Sequence, residues 1–218
     1  KKLPDLAVSM GMPAIAVTDT NNMFCALEFS EAASKAGIQP IIGCQVDMAY
    51  DPAPATEKPR VPAALVLLAQ NERGYENLMA LNSCLYLDSD GTLPQVQMAQ
   101  LAAHAEGVIC LTGGPNGPLG KLLQNGQTFK AQALLEGLAQ AFGDRLYVEL
   151  QRHPSEDGRM PDAERLSERG LVEMAYAMDL PLVATNDVYF PKPEIYEAHD
   201  ALICIAEGSY VDQQSPRR

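Results

Sequence analysis

Residues 11–24, Gly-Met-Pro-Ala-Ile-Ala-Val-Thr-Asp-Thr-Asn-Asn-Met-Phe, and residues 36–46, Ala-Gly-Ile-Gln-Pro-Ile-Ile-Gly-Cys-Gln-Val, decide the fold between them. Ala14 to Val17 is a short apolar run of the kind a buried parallel strand needs. Asp19 stands just past its carboxyl end, where α/β folds place their chemistry. Asn21 or Asn22 offers a side-chain cap to the helix-like run that follows. A second apolar run then leads to Gly43-Cys44-Gln45. The order is strand, carboxylate, helix, strand.

The same alternation continues outward. Residues 51–61 are Pro-rich and charged and predict an exposed loop. Residues 63–69 predict a strand, and 71–84 a helix whose face is Tyr75, Leu78, Met79 and Asn82. Residues 88–92 predict a turn, 95–104 a helix, 107–112 a strand. The run 129–142 predicts a helix with Leu134, Leu138 and Ala141 in register, and 146–150 a strand. Pro161 opens a long helix at its first position, with Leu171, Met174, Ala175 and Met178 facing inward. Residues 181–185 predict a strand and 193–206 a last helix. Residues 2–10 at the start also predict a helix. Six strands alternating with helices predict an α/β fold on a parallel sheet, barrel or doubly wound. No linker divides the chain, so 1–218 is expected to form one domain.

With Lys and Arg at 16 against Asp and Glu at 28, the net charge is −12. Tight nucleic-acid binding draws on clustered cations that displace phosphate counterions. The basic pairs Lys1-Lys2 and Arg217-Arg218 stand at the ends alone, so the segment is not expected to grip DNA itself. No apolar run approaches the roughly 18 residues of a membrane span. The five cysteines, Cys25, Cys44, Cys84, Cys110 and Cys204, are scattered without a Cys-x-x-Cys pair. Four sit in apolar company, the pattern of buried thiols in a reducing cytosol.

Two apparent motifs dissolve on spacing. Gly114 to Lys121 resembles a phosphate loop, but five residues separate Gly114 from Gly120, Leu122 follows the lysine, and two prolines remove amides. It predicts a strand-to-helix turn. Residues 88–91, Asp-Ser-Asp-Gly, lack the further ligands of a calcium loop. The polar residues at strand ends are more informative: Asp19, Gln45, Gly114, His153, and Asn186-Asp187. Such positions converge in a barrel, and a multi-metal site requires convergence. Each also has a plainer role: Asp19 as a helix cap, His153 as a loop residue before Pro154, Asp187 as a turn former. His199 and Asp200, mid-helix, predict packing roles, and His104 a surface position near a helix end.

The segments 11–14, 36–43, 71–78, 111–114, 147–153, 184–188 and 197–202 together resemble the PHP domain of the bacterial DNA polymerase III alpha-subunit family, over nearly the whole chain. The resemblance implies a distorted (β/α)7 barrel whose first strand, carrying a His-x-His motif, would precede Lys1. It also implies metal ligands at about nine positions. Asp19, His153 and Asp187 match them. Thr20 stands where active members have His, Gln45 where they have Glu, Gly114 where they have Cys or His, and Tyr189 where they have His. Neutral or absent side chains suit zinc or manganese poorly, so these seven positions are expected to be a vestigial site with no metal and no catalysis.

The family further implies a role in chromosomal DNA replication, docking on the polymerase module of the same polypeptide and on the proofreading exonuclease subunit. DNA and the polymerase's Mg would belong to other parts of that polypeptide, and the location would be the bacterial cytoplasm. The aspartate-rich polymerase motif is absent from this segment. Two other readings remain at this point. One is an active metal-dependent phosphoesterase or 3′–5′ exonuclease. The other is an unrelated barrel enzyme acting on a small molecule.

Overall fold

The computed structural model describes residues 2–51, 61–88, 93–154, 157–190 and 192–213. The chain divides into two compact units, Lys1–Thr185 and Asn186–Arg218. In the first, α1 (Lys2–Ser9) leads to β1 (Ala14–Val17), α2 (Ala26–Ala36) and β2 (Gln39–Met48). Next come β3 (Ala63–Ala69), α3 (Glu72–Leu87), α4 (Met98–Ala103) and β4 (Val108–Leu111). A 3-10 turn (Gly114–Asn116), α5 (Pro118–Gln124), α6 (Thr128–Phe142) and β5 (Leu146–Leu150) follow, then α7 (Asp162–Ala177) and β6 (Leu182–Ala184). The second unit holds a 3-10 turn (Pro193–Ile195) and α8 (Tyr196–Glu207).

The strands form one curled six-stranded sheet in sequence order. β1 runs parallel to β2, pairing Ala14 with Gln39 through Val17 with Ile42. β4, β5 and β6 are mutually parallel. The fold class is α/β as expected, but the sheet is mixed: β3 is antiparallel to both β2 and β4. The connection between β2 and β3 holds the Pro-rich stretch 51–61. That stretch falls largely outside the described residues, as does most of the expected turn at 88–92.

The main core joins Val46, Leu65, Val108 and Val148 of the sheet to Leu78 and Leu81 of α3 and Leu135 and Phe142 of α6, all fully buried. A smaller cluster of Ala7, Ala33 and Ile38 covers β1 with Ile15 packed on it. On α3 the buried face is Gly74, Asn77, Leu78, Leu81 and Leu85. Met79, expected to face inward, is 45% exposed. The small and polar residues Gly74 and Asn77 disguised this stripe; the Asn77 amide is buried because it donates to the Glu106 carbonyl at 2.7 Å. Pro161 caps α7 rather than occupying its first turn, while Leu171, Met174 and Ala175 are buried as expected.

Candidate functional site

The carboxyl end of β1 is continued into the loop by a bridge between Thr20 and Gln45. The Gln45 amide donates to the Asp19 carbonyl at 3.0 Å, and the Asn21 amide to the Gln45 carbonyl at 2.8 Å. Asp19, Thr20 and Gln45 are therefore brought together, through their backbones. The Asp19 carboxylate is already engaged: Cys25 Sγ donates to its Oδ2 at 2.8 Å. Cys44 Sγ reaches the Asp19 carbonyl at 3.2 Å. Burial and the Asp19 carboxylate push the Cys25 thiol up to about 11, so at neutral pH it is protonated and donates. Burial also raises Cys44.

Asn21 does not cap α2, which begins at Ala26 with no side-chain cap bond. With φ at +55° it occupies the left-handed region that Asn tolerates better than most residues. There its side chain turns to β2. Nδ2 donates to Asp47 Oδ2 at 2.8 Å, and the Asp47 amide donates to Asn21 Oδ1 at 3.0 Å.

Gly114 opens the 3-10 turn after β4 at φ +55°, and a Cβ there would meet Gln151 at 3.3 Å. Gln151 belongs to a network that the sequence reading missed. Its centre is Glu149, 2% exposed on β5. Glu149 Oε2 accepts from the Gly113 amide at 2.8 Å, and Oε1 from Gln151 Nε2 at 3.2 Å and from the Thr185 hydroxyl. A carboxylate in the middle of the apolar run 146–150 was the signal that something holds it. The network ties together the ends of β4, β5 and β6.

His153 follows β5. Its amide donates to Glu164 Oε2 at 2.9 Å and its Nδ1 lies 2.7 Å from Glu164 Oε1. The Glu164 side chain is 5% exposed, that of His153 41%. Next to it, Arg152 Nε donates to Glu168 at 2.9 Å, one helical turn along α7. Glu164 and Glu168 thus clamp two successive loop residues.

Asp187 and Tyr189 belong to the second unit, where the Tyr189 hydroxyl donates to Asp187 Oδ2 at 3.1 Å. His199 there stands between rings, its centroid 5.5 Å from Tyr189 and 5.2 Å from Phe190. His104, half-buried, ends α4 with Nδ1 2.9 Å from the Gln100 carbonyl.

These positions differ as donors toward a metal ion. Thr20 and Gln45 bring neutral oxygens, Gly114 brings none, and the Asp19 oxygen that would ligate is bound to a protonated thiol. Among the described residues no group of three or more His, Cys, Asp or Glu side chains is placed to hold a metal ion. No described helix is long and apolar enough to cross a membrane.

Comparison with known proteins assigns the architecture. The PHP domain profile matches residues 1–153. The DNA polymerase III alpha subunit of Caulobacter vibrioides is 49% identical over 215 residues, 98% of this chain and 18% of its own length. That of Pseudomonas aeruginosa is 38% identical over 220 residues, again 18% of the relative. The chain therefore spans less than a fifth of the curated relatives it matches. Among solved structures, a candidate metal-dependent phosphoesterase from Bifidobacterium adolescentis superposes with a TM-score of 0.50 at 14% identity, covering 88% of this chain and 83% of that one. At that identity the likeness concerns the fold alone. The reading as an unrelated barrel enzyme is set aside. The chain belongs to the PHP domain family and corresponds to a segment of DNA polymerase III alpha subunits.

Proposed function

We propose that this domain works in chromosomal DNA replication as part of a bacterial DNA polymerase III alpha subunit, as a scaffold rather than a catalyst. It packs on the polymerase module of its own polypeptide and docks the proofreading exonuclease subunit. DNA and the Mg of polymerisation are handled elsewhere in that polypeptide, and the whole acts in the cytoplasm.

The observation that carries the reading is the occupation of Asp19 by the Cys25 thiol beside neutral Thr20 and Gln45. A working hydrolytic centre would present a free carboxylate oxygen at this position to an ion and its activated water. The identity to alpha subunits supports the setting, and the net charge of −12 supports a domain that does not itself track DNA.

The test uses the full-length alpha subunit, free of the exonuclease subunit, incubated with 3′-labelled single-stranded DNA and Mn²⁺ or Zn²⁺. No 3′–5′ degradation is expected, and Asp19→Asn is expected to change nothing. Degradation that Asp19→Asn or His153→Ala abolishes would overturn the reading and restore the phosphoesterase alternative.

A further inference from the structure

The strand end that fails to make a metal cage is not left loose. A bound ion fixes a loop by drawing ligands from several elements at once. We infer that a hydrogen-bonded hub of Asp19, Asn21 and Cys25 does this without an ion, fastening residues 19–25 to β2, α2 and α3. The inference rests on the metal-free reading above and assigns to Asn21, Cys25 and Tyr86 roles of their own.

Three sets of links meet in the hub. Toward α2, Cys25 Sγ holds the Asp19 carboxylate. Toward β2, the Gln45 amide and the Cys44 thiol both donate to the Asp19 carbonyl, and Asn21 pairs reciprocally with Asp47. Toward α3, the Tyr86 hydroxyl donates to the Asn21 carbonyl at 2.9 Å, and Cys44 Sγ lies 3.6 Å from Asn82 Oδ1. Most of these links span 25 or more positions of sequence, so they cross-link elements rather than close local turns. The start of α2 has no side-chain cap of its own, and Asn21 sits at φ +55°. A backbone of this kind persists where its surroundings over-determine it, and the hub supplies that determination.

Amide hydrogen exchange on the full-length alpha subunit, read by mass spectrometry, tests the inference. The variants are Cys25→Ala, Cys25→Ser, Asn21→Ala and the milder Tyr86→Phe, which removes one hydroxyl. In the wild type, protection of residues 19–47 is expected to be the same with and without EDTA. Cys25→Ala and Asn21→Ala are expected to raise exchange at the Asn21 and Gln45 amides about tenfold, on the scale of one lost hydrogen bond. Tyr86→Phe should act in the same direction, Cys25→Ser should restore part of the protection, and residues 146–150 should not change. If EDTA alone raises the exchange, an ion holds the segment and both the metal-free reading and the hub fail. If EDTA is inert and all four variants match the wild type, the hub fails while the metal-free reading stands.

Discussion

Glu149 on β5 accepts the Gly113 amide proton at 2.8 Å, reaching from one strand to the loop that follows its neighbour β4. Glu149 is buried, and the same carboxylate takes the Thr185 hydroxyl and the Gln151 amide. Three strand ends thus share one acceptor. Replacing it by a hydrocarbon leaves buried donors without partners, each costing about 1–3 kcal/mol. Glu149→Leu is expected to lower stability by roughly 2–5 kcal/mol. Glu149→Gln, which keeps one oxygen, should lose less. Urea denaturation midpoints measure both; a Glu149→Leu variant as stable as wild type would deny the network any structural weight.

Gly74 offers a test in which the usual sign reverses. Gly→Ala within a helix commonly stabilises, by up to about 1 kcal/mol. Here a Cβ on Gly74 would lie 1.8 Å from the Gly107 carbonyl oxygen, a backbone atom that also accepts the Gln70 amide. Gly74→Ala should therefore destabilise by about 1–3 kcal/mol as α3 is pushed from the loop before β4. A raised melting temperature would contradict the close approach.

The Arg152–Glu168 pair predicts a limited acid sensitivity. The Arg152 guanidinium holds the Glu168 carboxyl below its ordinary value of 4.5. Because the folded-state value is depressed, its contribution is fully present above the unfolded value and is lost as pH falls through the folded one. Glu168→Gln should cost a small, salt-sensitive amount of stability near neutrality, small because Arg152 is exposed, and that loss should disappear as pH falls below about 4.5, which flattens the acid limb of the profile. A loss that persists undiminished at about pH 3 would assign the pair another role.

The 218-residue segment should bind duplex DNA weakly or not at all at physiological salt, given its net charge of −12. Submicromolar binding in a fluorescence anisotropy titration would contradict this.

The opening segment was legible because its signals are local: Ala14–Val17 is the strand its apolar run predicts, and Ala63–Ala69 and Leu146–Leu150 coincide with their runs. Strand direction was not legible, since an apolar run such as residues 63–69 reads alike both ways and direction depends on the connection. The strand-end residues Asp19 and Gln45 do meet. What sequence spacing concealed is who satisfies them. Cys25 read only as one of five scattered cysteines, and Asn21 as a helix cap, because their partners, Asp19 across a loop and Asp47 on another strand, are set by tertiary structure. Glu149 went unremarked for the same reason, its acceptor role being visible only once Gly113 and Thr185 are in place.

Whether this PHP domain keeps the fold without a metal centre is decided by crystals of the alpha subunit soaked in Zn²⁺ or Mn²⁺ and measured at the metal's absorption edge. No anomalous peak is expected within about 2.3 Å of Asp19 or His153, with Cys25 Sγ still on the Asp19 carboxylate. Two or more ions ligated by Asp19 and His153, with the Cys25 thiol displaced, would contradict it.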